Sequence, residues 1–178
     1  LAVFFADHLS RGNPPMPVER QSADFPENAR WHVGPITFLT LHTVGSDNND
    51  DGSEFPARNA ANIAWMQDTF DVASTRGSAA VVILSHANPG FPPDAESRME
   101  KEGFEEYMEA LRSEVQAWAK PVLYVHGDTH TYRVDQPEIL GTTLANFTRI
   151  EVYGPSDEHW VRVDYNPANP VVFTVTGI

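Results

Sequence analysis

Asp128 and His130 stand two positions apart in the stretch Val122-Leu123-Tyr124-Val125-His126-Gly127-Asp128-Thr129-His130-Thr131-Tyr132-Arg133, where an apolar run ends in a glycine. Aspartate and histidine are first-choice ligands for hard or borderline metal ions. A buried strand that empties into a glycine-led polar turn is how α/β proteins bring ligands to the carboxyl edge of a sheet. A second apolar run ends in the same manner, in Leu84-Ser85-His86-Ala87-Asn88-Pro89-Gly90. If the two runs are parallel neighbours, their ends share one edge, and His86, Asp128 and His130 are expected to meet there. Convergence is the argument, because a single histidine after a strand is commonly bonded to backbone. His126 precedes the glycine and is expected on the other side of the strand, in a supporting role.

The elements that must position these residues are legible in the hydrophobic pattern. Residues 1–9 read as a short amphipathic helix, closed by Gly12, Pro14 and Pro15. Residues 13–30, with four prolines, read as an ordered loop. Residues 30–33 and 36–44 flank Gly34-Pro35 and read as a hairpin rich in β-branched residues. Residues 58–75 predict a helix, with Ile63, Met66, Phe70 and Ala73 on one face and Pro56 in its first turn. Residues 79–84 are continuously apolar, as expected of a strand buried on both faces. A second helix is predicted over about residues 101–119, where Phe104, Met108, Leu111, Val115 and Trp118 form a stripe ended by Lys120-Pro121. The strand at residues 122–125 follows. The middle is therefore β-α-β-α-β, which implies parallel strands joined by helical crossovers. Residues 147–152, 159–165 and 171–176 read as three short strands forming an antiparallel addition. The fold class is α/β, with a mixed sheet in a single domain spanning residues 1–178.

Composition narrows the function. The 178 residues suffice for one domain with a sizeable core. Twelve basic against 25 acidic residues give a net charge of -13. That balance argues against a nucleic-acid-binding surface or docking on anionic membranes. No apolar run approaches the ~20 residues of a membrane span. There are no cysteines, which excludes disulfides and thiolate metal sites. No signal peptide is visible, and the chain begins at Leu1 rather than Met. The expectation is a soluble protein; removal of an upstream leader would fit a secreted or periplasmic location, which the sequence leaves open.

The two strand ends resemble the second half of a calcineurin-like metallophosphoesterase. In that family one strand ends in a single His and the next in Gly-His-x-His, which in the purple acid phosphatase branch continues to an aromatic residue and an Arg. The match covers roughly residues 30–176 and includes the helix carrying Trp65. The resemblance implies a β-sandwich flanked by helices, of which this chain is the C-terminal half. It assigns His86 to one metal and His130 to the other, with Asp128 standing where the family has the first His of its motif. That departure implies either a harder site, favouring Mn, Mg or Fe over Zn, or a weakened one. The family's upstream Asp-x-His, Gly-Asp-x-x-Asp and Gly-Asn-His motifs have no counterpart here. The implied activity is hydrolysis of a small phosphoester by two divalent ions, with part of the ligand set coming from a missing N-terminal half or a partner copy. No residue of this chain is assigned a catalytic role. The alternatives are a non-catalytic scaffold of the same fold with a degenerate site, and an unrelated α/β binding domain without metal.

The remaining polar residues carry less. Arg133 and Tyr132 are candidates for a phosphate contact, as Arg suits bidentate anion recognition. His42 and Asn88 are candidates to face substrate; for His42, with Asn48 and Asn49, a loop held by Asx turns is an equal alternative. Asp47, Asp50 and Asp51 lack the register of a calcium loop. Asn146-Phe147-Thr148 is a glycosylation sequon inside an apolar strand, where coincidence is the better reading. Trp31, Trp65, Trp118 and Trp160 are expected in the core.

Overall fold

A computed structural model describes residues 8–92, 102–155, 159–169 and 171–178. The helix expected over residues 1–9 falls, up to residue 7, outside them; Leu9 itself bridges Pro17. Nine strands are described, β1 (Glu19–Arg20), β2 (Ala29–Val33), β3 (Ile36–Thr40), β4 (Ala80–Leu84), β5 (Val122–His126), β6 (Arg133–Asp135), β7 (Phe147–Glu151), β8 (Val161–Tyr165) and β9 (Phe173–Gly177). Two long helices, α1 (Phe55–Arg76) and α2 (Glu105–Trp118), link β3 to β4 and β4 to β5. No described helix is long and apolar enough to cross a membrane.

The chain is α/β. Seven strands form a mixed sheet in the order β1-β2-β3-β4-β5-β7-β6, and β8 and β9 form a separate antiparallel pair. The hairpin at Gly34-Pro35 is present, with Val33 opposite Ile36. Gly34 takes φ 53°. A positive φ followed by the fixed negative φ of proline suits the right-handed twist of the flanking strands. β3, β4 and β5 run parallel, with Leu39 opposite Ile83 and Ile83 opposite Tyr124. The predicted β-α-β-α-β core is therefore observed. α1 begins three residues before the predicted start, with Pro56 in its first turn, and ends at Gly77 in the left-handed region. A 3-10 turn, Glu102–Phe104, leads into α2.

The tail differs from expectation. β7 is not part of an antiparallel addition; it joins the main sheet parallel to β5, with Tyr124 opposite Arg149 and His126 opposite Glu151. The reason lies in the intervening connection. The chain passes outward to β6 at the sheet edge, then turns back, so that β7 enters beside β5 in the same direction while pairing antiparallel with β6. Only β8 and β9 form the antiparallel addition, with Val163 opposite Val175.

Alternation along the strands divides the core in two. Leu39, Val81, Ile83, Val122, Tyr124 and Phe147 face the helices, packing with Trp65, Met66, Phe70, Met108, Leu111 and Val115. Ile36, Ala80, Val82, Leu123 and Ile150 face the other way, toward Phe173, Val161, Tyr165 and Val175 of the β8–β9 pair. A cavity of about 410 Å³ remains on that second face. The sheet edges are β1 and β6, strands of two and three residues, so little edge is open for pairing. Of the four tryptophans expected inside, Trp65 is buried, but Trp160 is 58 % exposed. It sits at the mouth of the cavity, where its backbone pairs with Ile178.

Candidate functional site

The parallel register of β3, β4 and β5 delivers three polar loops to one edge of the sheet. The loops after β4 and β5 are joined by backbone bonds, Ser85 N–H to Val125 O at 3.0 Å and Gly127 N–H to His86 O at 3.0 Å. Asn88 N–H donates to Asp128 Oδ2 at 3.2 Å. From the β3 side, Gly45 lies so close that a Cβ there would stand 3.1 Å from Asp128 Oδ1. Asp128 is thus half-buried where the three loops meet.

Backbone strain is concentrated in the same place. Asp128 has φ 81° and His130 φ 61°, and residues 46–49 all have φ between 51° and 57°. Left-handed conformations are costly for side-chain-bearing residues and persist only where surrounding contacts determine them. For residues 46–49 the contacts come from α1. Arg58, 3 % exposed, donates Nη1 to Asn48 Oδ1 at 2.5 Å and Nη2 to Asn48 O at 2.6 Å. The same guanidinium bonds Glu54 at 2.7 Å and holds that carboxyl at about 2, well below its usual 4.5. From the other side, Gly103 packs with no room for a Cβ, which would stand 2.1 Å from Asp47 O.

For the segment that carries Asp128 and His130, the contacts beyond those of Asp128 itself come from β7 and the residues just after it. Thr129 Oγ1 donates to Glu151 Oε1, and Thr131 N–H reaches the same oxygen at 3.4 Å. Glu151 is fully buried, and its other oxygen lies 3.9 Å from Arg133 Nε. His130 rests against Gly154, where a Cβ would be 2.4 Å from its own Cβ.

The structure distributes the sequence-derived candidates as follows. His86, Asp128 and His130 share one sheet edge, with His86 and His130 exposed. Among the described residues, however, no three His, Asp or Glu side chains are grouped closely enough to hold a metal ion. Asn88 is buried, and its Oδ1 accepts from Gly90 N–H at 3.1 Å and Phe91 N–H at 3.2 Å. Its side chain shapes its own turn. Arg133 directs Nε toward Glu151, and Tyr132 stacks on Tyr153 at 4.3 Å, with His159 on the far face of Tyr153 at 4.8 Å. The backbone of His42 is engaged by Asn28 and Asn62. Its ring lies near enough to Glu54 to help lower that pKa. His126 is buried among Phe91 and Tyr124, with Nδ1 2.8 Å from Gly127 O.

Behind the His86 loop runs a chain of three hydroxyls, those of Tyr124 and Tyr107 buried. Ser85 Oγ is 2.8 Å from Tyr124 OH, which is 2.9 Å from Tyr107 OH. Burial pushes the Tyr124 phenol up to about 12. Arg149, also fully buried, forks onto Asp135 and bonds Pro92 O at 3.0 Å, tying Pro92, downstream of His86, to β6 and β7. Sequence reasoning passed over Arg58, Arg149 and Glu151. The last two carried a signal, since charged residues at alternate positions of an otherwise apolar strand require buried partners.

No protein-family model matches this chain, and no curated protein matches it significantly.

Proposed function

We propose that this chain carries the C-terminal part of a metal-dependent phosphoester hydrolase of the calcineurin-like kind, with a sandwich fold completed by elements beyond those described. One observation supports the reading best. Asp128, in a strained conformation, lies at the meeting point of three loops on the carboxyl edge of parallel strands, with His86 and His130 on the same edge. In this reading the three residues contribute donors to a site for two divalent ions, Mn, Fe, Mg or Zn, and the remaining donors come from outside this chain. When bound, the ions supply an activated water and a clamp for phosphoryl oxygens.

A second reading is a scaffold with a degenerate site. It is favoured by the lack of a three-ligand group among the described residues. Titration with Mn²⁺ followed by assay on p-nitrophenyl phosphate separates the two. The hydrolase reading expects Mn²⁺ binding that weakens in both Asp128→Ala and His130→Ala, with no turnover by this chain alone. Turnover that His130→Ala leaves intact refutes it, and the absence of any Mn²⁺ binding leaves the scaffold reading standing.

A further inference from the structure

One fully buried side chain behind the candidate site lies outside the motif. Glu151 ends β7 and is fully buried, with its Cα paired to His126 on β5 and to Arg133 on β6. Along the Asp128-Thr129-His130-Thr131 segment, the two threonines reach back to it, while Asp128 engages the loops on the other side. Thr129 Oγ1 and Thr131 N–H both donate to Glu151 Oε1. Oε2 has no hydrogen-bond donor among the described residues, the Arg133 guanidinium standing off at 3.9 Å.

That arrangement is costly for packing alone. A buried carboxylate loses its hydration, and an apolar residue of similar size would fill the space without that penalty. What the carboxylate adds is an acceptor that draws two successive odd positions of the loop onto β7. Drawing Thr129 and Thr131 inward leaves Asp128 and His130 to take up the turn, and these are the two residues with positive φ, 81° and 61°. Just beyond β7, Gly154 supplies a second stop, since it lets His130 lie closer to the backbone than any side chain at that position would allow.

We propose that Glu151 is the positioning residue of the site, and that through Thr129 and Thr131 it fixes the conformation from which Asp128 and His130 present their donor atoms. The function of that conformation as ligand presentation rests on the hydrolase reading above. The fixing of the loop does not.

The test uses the full chain in four forms: unaltered, Glu151→Ala, Glu151→Gln and Thr129→Val. Thr129 is exposed, so Thr129→Val removes the donor without disturbing the core and keeps the test valid if Glu151→Ala folds poorly. Two quantities are measured, amide hydrogen exchange over residues 127–132 and Mn²⁺ affinity. Exchange is expected to rise at least about tenfold in Thr129→Val and Glu151→Ala. Glu151→Gln, which keeps the acceptor oxygen, is expected to restore most of the protection. Mn²⁺ affinity is expected to fall about 10- to 100-fold in the first two variants, the scale seen when groups that orient metal ligands are removed. Unchanged exchange in a folded Thr129→Val overturns the proposal, as does failure of Glu151→Gln to recover protection. If exchange responds as expected but no form binds Mn²⁺, the loop assignment stands and the metal reading is the part that fails.

Discussion

Replacing Arg58 by alanine should release the strained turn at residues 46–49 while leaving the sheet folded. Arg58 is buried, and its two bonds to Asn48, at 2.5 and 2.6 Å, join groups that are themselves out of water. Charge-assisted hydrogen bonds of this kind contribute about 1.5–3 kcal/mol each, so the pair sets a scale of about 3–6 kcal/mol. The bond to Glu54 adds little, because that carboxylate is 55 % exposed and such pairs are worth ~0–1 kcal/mol. Against this stands the strain of four left-handed residues, about 1–2 kcal/mol apiece by the steric estimate for left-handed helix, less for Asn and Asp. The two totals are comparable. Once Arg58 is gone, the turn lowers its free energy by abandoning the left-handed path, and the recovered strain cancels much of the lost bonding. The global loss should therefore be only about 1–3 kcal/mol, a fall in Tm of ~2–4 °C per kcal/mol for a chain of this size. The local effect should be large, with hydrogen exchange over residues 45–54 accelerating while α1 and β3 stay protected. The variant should also lose a small acid-sensitive increment. The Glu54 carboxyl, held at about 2 against its usual 4.5, contributes stability that is present above pH 4.5 and lost as pH falls toward 2. Residues 45–54 remaining as protected as in the unaltered protein, or a loss spread evenly over the whole chain, would refute the argument that Arg58 holds the strain.

Three other outcomes are expected. Tyr124→Phe removes the central hydroxyl of the Ser85–Tyr124–Tyr107 chain and leaves the Tyr107 hydroxyl buried without its partner; thermal melts should show a loss of about 1–3 kcal/mol, and an unaltered Tm would mean that the hydroxyls are satisfied otherwise. Glu114 has its pKa raised, first by burial and then by the nearby Asp71 carboxylate, so its ionised form is a liability above its folded pKa. Glu114→Gln should raise Tm at pH 7, with the gain disappearing below about 4.5, where the carboxyl is protonated folded and unfolded alike; an equal gain at pH 4 and pH 7 would contradict this. Gly154→Ala places a methyl 2.4 Å from His130 Cβ, and overpacking of that kind costs about 1–3 kcal/mol; chemical-shift changes in a backbone NMR spectrum should centre on residues 128–132, and a spectrum unchanged there would show that His130 does not rest on that glycine.

Much of this protein was legible in the order of its residues, because periodicity and punctuation are local. The stripe from Phe104 to Trp118 specified a helix, the run from Ala80 to Leu84 a buried strand, and Gly34-Pro35 a hairpin. Two helices between three apolar strands then dictated parallel pairing and placed His86 and Asp128 on one edge. The tertiary structure decided what depends on contacts between distant segments. Residues 147–151 look the same to a local reading whether they pair parallel or antiparallel, and it is the outward excursion through β6 that sets β7 beside β5. That placement also brings Glu151 behind Thr129, 22 positions away in the chain. Likewise the left-handed turn at residues 46–49 is not implied by Ser-Asp-Asn-Asn; it exists because Arg58 on α1 bonds Asn48 while Gly103 leaves space beside Asp47. The chain order specified which polar side chains reach the sheet edge, since alternation and strand direction follow from nearest neighbours. How that segment is held required the fold, because buried charges take their partners from segments that only packing brings together.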